Sequence, residues 1–358
     1  MIKNAKIYGK FYSPEKILSY NRPWMFVIGS RSIGKSTSLG MYFIKDYLEN
    51  ANKFIYVRRT EDEVRKTCKS FFDNPVQILK NFGYEIFDFK YDKRDYYIKR
   101  KEGGDWEKCG TTIPLSLEQK YKSSNYSEYN NILYDEFISR NNHYLGSKAN
   151  IEYEYDCCLS LYQTVDRDIN NSFQNKTKFF FSANNASYFN PIFISLRITD
   201  YLRTDTKFLA PKSELWVVEQ INEVEATKEI KNSFAYRLSS NKNKDYAYNN
   251  IALDETTVFI EKSNAVKYPL MNLIYNKTKF GVYYLKNENK IYVCNKTNTL
   301  PPIALTLSDQ DAINYNLVQK FTDYSPMIKL RNFFMQGNVI FENSKLKYII
   351  TNYLKLTS

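Results

Sequence analysis

Histidine, glycine and long apolar runs are scarce in this sequence. His143 is the only histidine among 358 residues, which argues against a histidine-centred catalytic site or a zinc site. No run reaches the roughly 20 apolar residues of a membrane span, and residues 1–6 have no apolar signal region behind them. We therefore expect a protein that stays in the cytoplasm where it is made and has no membrane partner.

The cysteines form no pattern that points to metal or disulfide chemistry. None of the five has metal-ligand spacing, and the neighbouring pair Cys157 and Cys158 cannot easily form a bridge. We interpret all five as reduced thiols: Cys68, Cys109, Cys157, Cys158 and Cys294.

Because only 11 glycines are present, a motif that uses two of them is informative. Residues 29–36 match the phosphate-binding pattern G-x-x-x-x-G-K-[ST] and follow the apolar run Met25–Ile28, which predicts a buried strand. In such a loop, backbone N–H groups wrap the phosphates and the next helix directs its positive end at them. The predicted nucleotide-binding residues are Gly29, Ser30, Arg31, Ser32, Ile33, Gly34, Lys35 and Ser36.

The chemistry of this motif indicates ATP with Mg²⁺. Lys35 is expected to contact the β- and γ-phosphates, and Ser36 to hold the metal ion. A second apolar run, Ile132–Tyr134, ends in the acidic pair Asp135 and Glu136. In P-loop enzymes such an aspartate anchors Mg²⁺ through water, and a glutamate at the strand end can polarise the attacking water. The pair favours hydrolysis over transfer to a hydroxyl acceptor, so we expect an ATPase rather than a kinase.

The charge balance indicates a polyanionic partner. The formal net charge is +12, and residues 256–358 hold 13 Lys and Arg against 6 Asp and Glu, a balance of +7. A basic tail joined to an ATPase suggests a nucleic-acid motor. A lysine- and asparagine-rich proteome would give the same bias, so the charge alone does not decide between these readings.

From about residue 24 to 208, strand-like runs alternate with helical stretches, which is typical of an α/β fold with a parallel sheet. The run Phe54–Val57 ends on Arg58 and Arg59, at the edge of the sheet where ligands bind. Both arginines are predicted to reach phosphates, and pairing with the acidic residues that follow them is the alternative. Two further runs, Arg94–Lys101 and Asp105–Ile113, predict a hairpin inserted on this core.

Two more polar residues lie at the ends of predicted elements. Residues 151–168 are helical in pattern, with Arg167 at the exposed end. The apolar run Lys178–Ala183 ends on Asn184. In P-loop ATPases, the strand beside the Mg²⁺-aspartate strand often ends in a sensor of the attacking water or γ-phosphate, and Asn184 fits that position. An ordinary turn asparagine is the alternative.

The composition divides the chain into three parts. We predict a P-loop ATPase domain over residues 1–208, a charge-rich linker over 209–255 and a small basic α+β domain over 256–358. In the last part, strands are expected at Thr257–Glu261, Leu270–Tyr275, Lys279–Leu285 and Lys290–Cys294, and helices at Asp309–Phe321, Lys329–Gln336 and Lys345–Leu354.

Seven short motifs, spread over nearly the whole chain, are informative in combination. They are Phe11–Tyr20, Phe26–Ser36, Phe54–Arg59, Ile113–Ser116, Asp135–Ile138, Ser182–Asn184 and Phe259–Lys262. In these motifs the chain resembles the DNA-packaging (encapsidation) ATPases of short-tailed phages of the phi-29 type, which are P-loop ring motors of the additional-strand conserved-glutamate class. The ATPase half carries most of the resemblance.

The resemblance implies a ring motor, usually a homopentamer, that docks on the portal of an empty capsid and drives double-stranded DNA inward. In such rings the nucleotide lies between subunits and a neighbour supplies an arginine finger, which Arg167 resembles. Lys122 resembles a second basic residue that reaches across the interface. Relatives carry further arginines after the finger, where this chain has Asp168, Ile169 and Asn170. Some relatives dock through a packaging RNA, which makes such an RNA a candidate partner.

The family's C-terminal domain resembles an RNase H-like nuclease fold that has lost its activity. Two-metal nucleases need three or four convergent carboxylates. Residues 256–358 offer six, and only the first is expected on a core strand: Glu261, Glu288, Asp309, Asp311, Asp323 and Glu342. We therefore expect this domain to bind DNA or RNA rather than cleave it.

Two other functions stay open at this point. A helicase or a DNA-pumping ATPase of plasmid transfer would share the same core, and stimulation of the ATPase by capsid portals would separate the two. A packaging enzyme with an active nuclease is disfavoured by the sparse carboxylates. A binding module with an inactive loop is disfavoured because Lys35, Ser36, Asp135 and Glu136 are all present.

Overall fold

The structure, a computed structural model, describes most of the chain in two compact units. The described residues are 7–9, 11–31, 33–122, 124–139, 143–146, 152–166, 177–184, 187–188, 190–202, 206–221, 234–238, 259–299, 304–307, 309–317 and 324–355. The first unit comprises residues 1–145, 156–187 and 203–253, and the second comprises 146–155, 188–202 and 254–358.

The described helices are short apart from two in the first unit. They are α1 (Glu15–Leu18), α2 (Lys35–Asn50), α3 (Glu61–Asn81), α4 (Tyr153–Val165), α5 (Pro191–Ser195), α6 (Phe234–Leu238), α7 (Ser325–Met335) and α8 (Ser344–Lys355), with 3₁₀ turns at Leu115–Tyr121, Ile198–Asp200 and Asp309–Ile313. Within the described residues, no helix combines the length and the apolar character needed to span a membrane.

A nine-stranded sheet with the order β3-β4-β5-β2-β6-β7-β1-β9-β8 forms the centre of the first unit. Its strands are β1 (Trp24–Gly29), β2 (Lys53–Arg58), β3 (Asp88–Asp92), β4 (Asp95–Lys99), β5 (Glu107–Pro114), β6 (Tyr129–Asp135), β7 (Lys178–Ala183), β8 (Phe208–Leu209) and β9 (Trp216–Ile221). The six strands from β5 to β9 in this order pair in parallel, as the alternating pattern predicts. Antiparallel pairing adds β4 and β3 at one edge and β8 at the other.

Side chains pack on both faces of strand β1, which explains why this strand is apolar and buried along its whole length. On β1, Met25 and Val27 belong to the core cluster that contains the buried residues of α2 and α3. Trp24 and Phe26 alternate with them, and the Trp24 ring contacts the Tyr162 ring of α4 at a centroid distance of 6.0 Å. The continuous burial of β1 therefore follows from packing on two sides.

The structure differs from the predicted linker over residues 209–255. Strand β9 pairs with β1 along its length and is buried, so part of the predicted linker belongs to the core of the sheet. The sequence pattern concealed it because Glu219 and Gln220 interrupt a short apolar run. The predicted hairpin of β4 and β5 is confirmed. Strand β3 was not predicted, because half-buried and exposed residues alternate along it without a clear apolar face.

A six-stranded sheet with the order β14-β13-β10-β11-β12-β15 forms the centre of the second unit. Its strands are β10 (Tyr268–Tyr275), β11 (Thr278–Leu285), β12 (Lys290–Cys294), β13 (Ala304–Thr306), β14 (Asn316–Leu317) and β15 (Val339–Phe341). The three longest strands pair antiparallel, and the three short ones join in parallel. Helices α7 and α8 contribute Leu330, Leu346 and Ile350 to the core cluster on this sheet.

One predicted helix of the second unit is wrong. In place of a helix over Asp309–Phe321, the described residues form a 3₁₀ turn followed by β14. The Asp311 carboxylate accepts the backbone N–H of Lys277 at 3.1 Å, which ties this turn to the β10–β11 hairpin. The strand predicted at Thr257–Glu261 begins outside the described residues, which start at Phe259, and Ile260 makes an isolated bridge to Phe341. Glu261 is exposed and lies on no core strand.

The boundary predicted at residue 208 also differs from the structure, because residues 146–155 and 188–202, which precede it, belong to the second unit. Asp200 accepts hydrogen bonds from the backbone N–H and the hydroxyl of Ser344 at the start of α8, at 3.4 and 2.6 Å. Glu152 pairs with Lys345 at 2.9 Å. These contacts join residues far apart in sequence, so local composition could not reveal them.

A buried carboxyl group on β9 has a perturbed pKa. Glu219 on β9 is only 7% exposed, and its Oε2 accepts a hydrogen bond from the hydroxyl of Tyr12 at 2.7 Å. Burial raises the pKa of Glu219 to about 7, while the hydrogen bond from Tyr12 and the charges of Lys207 and Lys16 oppose the rise. In the unfolded chain the same group titrates near 4.5. Between these values the folded protein holds a proton that the unfolded chain has lost.

The sign of this difference predicts how stability depends on pH. The contribution of Glu219 to the free energy of unfolding falls as pH rises from about 5 to about 7, by up to about 3 kcal/mol. Because other groups titrate in this range, the comparison is with Glu219→Gln at each pH. Urea unfolding at pH 5, 6, 7 and 8 should show the variant gaining stability relative to the native chain. A difference that stays constant with pH would contradict the assignment.

Candidate functional site

The carboxyl ends of three adjacent strands form a polar cleft in the first unit. Strand β7 lies between β6 and β1, and its register sets Ser182 opposite Asp135 and Ala183 opposite Ile28. The loop after β1 and the first turn of α2 close the other side. The cleft of about 290 Å³ is lined by Gly34, Lys35, Ser36, Asp135, Glu136 and Asn184, among others.

The loop between β1 and α2 has the geometry that its glycines predict. Gly34 is in the left-handed region with φ 81° and precedes Lys35, the first residue of α2. A Cβ on Gly34 would lie 2.5 Å from the ring of Phe11, so both the backbone angle and the packing require glycine. Helix α2 therefore begins in the cleft with its free N–H groups and its positive dipole end. Ser32 lies outside the described residues.

Lys35 is buried in the cleft and held by neutral oxygen atoms. Its Nζ donates to the carbonyl oxygens of Gly29 and Ser30 at 2.9 and 2.7 Å and to Asn184 Oδ1 at 3.2 Å. Burial lowers the pKa of Lys35 to about 8, against the charges of Asp135 and Glu136, which raise it. Since that value still lies above neutral pH, the ammonium is charged and poised for an anion.

Asp135 is the centre of a second set of contacts. Its Oδ1 accepts a hydrogen bond from Ser36 at 2.7 Å, and its Oδ2 accepts from the hydroxyl of Tyr56 at 3.3 Å and from Arg58 at 3.4 Å. Burial and the Asp135 charge raise the pKa of Tyr56, which stays a donor. The carboxylate is thus surrounded by three donors on two elements, Ser36 on α2 and Tyr56 and Arg58 on β2.

Glu136 follows β6 with an unusual backbone. Its φ of 60° places it in the left-handed region, which is uncommon for residues other than glycine. Its N–H donates to the carbonyl oxygen of Ser182 at 2.7 Å, which fixes the turn. Such backbone conformations concentrate at functional sites. Both acidic residues consequently line the same cleft.

The structure separates the two arginines that follow β2. Arg58 contacts Asp135, which is not one of the acidic residues that directly follow it in sequence. Arg59 is buried, donates to the carbonyl oxygen of Phe137 at 2.8 Å and stacks over the ring of Tyr144. Arg59 is absent from the described lining of the cleft, and a contact of either arginine with phosphates stays a prediction.

The remaining predicted residues have different outcomes. Asn184 lies at the end of β7 and reaches Lys35, so it belongs to the cleft rather than to an ordinary turn. Lys122 is 43% exposed outside the cleft, and its Nζ lies 3.9 Å from the buried carboxylate of Glu118. Arg167 lies outside the described residues, because the segment that contains α4 is described only as far as Asp166. The roles of Lys122 and Arg167 stay predictions.

The donors of the cleft fit a phosphate group and a hard cation. Ser30 Oγ and Ser182 Oγ are buried and have no hydrogen-bond partner among the described residues. Ser36 and Asp135 offer the oxygen ligands that Mg²⁺ prefers. No group of three or more His, Cys, Asp and Glu residues that could hold a metal is found in the described part of the chain. A cation here would take its remaining ligands from water and phosphate.

Sequence reasoning missed Tyr56. The hydroxyl of Tyr56 contacts an aspartate 79 residues away. The available signal was the hydroxyl of Tyr56, a polar group within the apolar run of β2 that precedes the two arginines.

Comparison with known proteins places the whole chain in one group. The family model for the podovirus DNA encapsidation protein (Gp16) matches residues 8–357. The DNA packaging protein of Bacillus phage phi29 is 27% identical over 343 residues, which cover 95% of both chains. That of Bacillus phage B103 is 27% identical over 335 residues, 93% of this chain and 97% of the other.

The fold agrees with a solved relative. A chain in the structure of the bacteriophage phi-29 genome packaging motor assembly superposes with a TM-score of 0.72 at 26% identity, over 98% of this chain and 100% of that one. The crystal structure of the N-terminal domain of the phi29 packaging ATPase matches 61% of this chain with a TM-score of 0.50 at 28% identity. With its cleft of Lys35, Ser36, Asp135 and Glu136, this chain belongs to the podovirus DNA encapsidation protein family.

Proposed function

We propose that this chain is the ATP-hydrolysing subunit of a motor that drives double-stranded DNA through the portal into a preformed capsid. The observation that carries the proposal is the cleft itself. A buried lysine, a serine–aspartate pair and a strand-end glutamate lie together at the ends of β1, β6 and β7. Family membership connects this cleft with DNA packaging, as does the similarity to the DNA packaging protein of Bacillus phage phi29.

Each residue of the cleft has one part in the proposed reaction. Mg²⁺ with ATP, when bound, supplies the γ-phosphoryl group whose transfer to water releases free energy. Lys35 exchanges the carbonyl oxygens that now hold it for phosphate oxygens. Ser36 and Asp135 would hold the metal ion, and Asn184 is placed to sense the occupied state through its contact with Lys35. Glu136 takes the proton of the attacking water.

Assembly follows from the same proposal. Arg167 is assigned as the finger that stabilises charge on a neighbour's nucleotide, and Lys122 as a second basic group at that interface. The ring is proposed to be a homopentamer, transiently bound at the portal vertex of the procapsid in the host cytoplasm. A packaging RNA is a candidate adaptor. Electron microscopy of the protein on its portal tests the ring size and the partner directly.

The basic second unit is assigned to nucleic-acid binding. Among its described residues, no three His, Cys, Asp or Glu side chains form a group that could hold a metal ion. Asp311 holds the Lys277 backbone, and Glu342 accepts the backbone N–H of Asn295 at 2.7 Å. This arrangement supports a nuclease-like fold without nuclease activity, since two metal ions need shared carboxylates.

Two substitutions separate binding from hydrolysis. Lys35→Ala should abolish ATP binding, because the ammonium is lost from the phosphate site. Glu136→Gln should bind ATP normally and lower turnover by about 10²- to 10⁴-fold, because only the water-activating carboxylate is removed. Calorimetric titration with ATP and phosphate-release assays measure the two effects, with Glu288→Gln on the surface as the control. Near-normal turnover of Glu136→Gln would rule out Glu136 as the base.

A mixing experiment tests Arg167. Arg167→Ala should lower ATPase activity by about 10³-fold or more if the residue is a finger. Because a finger acts on a neighbour's ATP, mixing this variant with Glu136→Gln protein should restore activity at interfaces that pair an intact Glu136 with an intact Arg167. If activity stays absent at every mixing ratio, Arg167 acts within its own subunit or is structural.

The second unit gives a prediction about salt and cleavage. The full-length protein should bind duplex DNA with an affinity that falls steeply as salt rises, since each neutralised phosphate releases counterions. It should show little base preference, because a motor that moves along a genome must contact the backbone. It should not nick a plasmid in Mg²⁺ or Mn²⁺. Metal-dependent nicking that disappears in Glu261→Ala would establish an active nuclease.

A further inference from the structure

A short segment ahead of the sheet packs on the outer side of the phosphate-binding loop. We call Phe11 and Tyr12 the brace. The backbone N–H of Tyr12 donates to the carbonyl oxygen of Ile33 at 2.8 Å, and the ring of Phe11 lies where a Cβ on Gly34 would be. The brace therefore contacts two consecutive residues of the loop, Ile33 and Gly34, from the outer side of the loop.

The brace is tied to the sheet by one buried hydrogen bond. The hydroxyl of Tyr12 donates to Glu219 Oε2 at 2.7 Å, across 207 residues of sequence. Glu219 lies on β9, opposite Val27 of β1, and β9 ends with Ile221, which packs where a Cβ on Gly29 would be. Strand β9 thus contacts the start of the phosphate-binding loop directly and its end through the brace.

A carboxyl group at this position lowers the stability of the fold, because burial disfavours its charged form. A neutral or apolar residue would pack on β9 at lower cost if stability were the only requirement. Buried groups with perturbed titration are concentrated at functional sites. Here the group holds Tyr12, which connects β9 to the end of the loop.

We propose that Tyr12 and Glu219 are positioning residues for nucleotide binding: their buried hydrogen bond fixes the brace, and the brace holds the phosphate-binding loop in its anion-binding shape. Neither residue touches the cleft, so both act through Ile33 and Gly34. The inference depends on the proposed binding of ATP to this loop. The bond is strongest when the carboxyl is ionised, because hydrogen bonds to a charged acceptor are roughly twice as strong as neutral ones.

The charged and titratable groups around Glu219 come from three elements. Tyr12 faces it from the brace, Lys16 from α1, and Lys207 from the residue before β8. Val27 and Phe208, its register partners on β1 and β8, carry no charge. Burial raises the pKa of Glu219 to about 7, so its ionisation changes between pH 6 and pH 8.

Two conservative substitutions in the full chain test the pair. Tyr12→Phe keeps the ring and removes the hydroxyl, and it should raise the Kd for Mg-ATP about ten-fold at pH 8. Glu219→Gln keeps an acceptor but no charge. Its Kd should equal that of the native chain at pH 6 and exceed it about five-fold at pH 8. Tyr20→Phe is the matched control, since Tyr20 lies in the same segment and stacks on Phe208 through its ring.

Comparison of variants at the same pH removes the titration of ATP itself from the result. The double variant Tyr12→Phe/Glu219→Gln should lose no more affinity than Tyr12→Phe alone, because both changes break one interaction. Unfolding midpoints measured in parallel report stability separately. If Tyr12→Phe folds poorly, the dependence on pH of the Glu219→Gln Kd for Mg-ATP still tests the proposal.

The outcomes distinguish this inference from the function on which it depends. A native chain that does not bind ATP would remove the proposed function itself. A native chain that binds ATP, with unchanged Kd in both variants or with equal effects at pH 6 and pH 8, would leave that function intact and show that the pair only stabilises the fold. Additive losses in the double variant would also overturn the inference.

Discussion

Parallel pairing of neighbouring strands is the constraint on which the cleft depends. Because β6, β7 and β1 run in the same direction, their carboxyl ends lie side by side, and the residues that follow each strand meet there. Asp135, Asn184 and the phosphate-binding loop come from sequence positions up to 149 residues apart, yet hydrogen bonds join them. The dense aromatic packing on both faces holds this register. The positions of the side chains in the cleft therefore depend on the core beneath them.

The cleft also holds two side chains of opposite charge, Lys35 and Asp135, whose present hydrogen-bond partners a ligand can replace. The Lys35 ammonium is surrounded by two carbonyl oxygens and an amide oxygen, and the Asp135 carboxylate by a hydroxyl, a phenol and a guanidinium. These partners satisfy the charges without a direct Lys35–Asp135 contact. The lowered pKa of Lys35 shows that neutral dipoles compensate its burial incompletely. An incoming polyanion would add favourable charge at Lys35, and its cation would compete with the three donors for the Asp135 carboxylate.

The sequence predicted those parts of the site that are encoded locally. The loop from Gly29 to Ser36 and the pair Asp135 and Glu136 are contiguous motifs with their own strand signals, and both lie in the cleft. Asn184 was predicted from the same rule about strand ends. In contrast, the pairing of Tyr12 with Glu219 depends on β9, whose signal was too weak because a carboxyl group interrupts its apolar run.

The second unit shows the same limit at the level of whole elements. Its long antiparallel strands were predicted nearly to their ends, because alternation and turn residues are local signals. The helix expected at Asp309–Phe321 failed because Asp311 is held by the backbone of Lys277, a contact that helical periodicity cannot reveal. The discontinuous boundary at Glu152 and Asp200 is likewise set by partners on α8.

The left-handed residue at the end of β6 has a consequence for how this part of the chain can vary. In an extended strand, neighbouring side chains point to opposite faces of the sheet. The positive φ of Glu136 breaks that alternation between Asp135 and Glu136, so the two adjacent carboxylates reach the same cleft. Insertions in the loop before Tyr129 leave this turn intact, whereas one residue added between Tyr134 and Phe137 would disturb the hydrogen bonds of Glu136 and Phe137 to Ser182 that fix it. Natural length variation is therefore expected to stop at the edges of this four-residue segment.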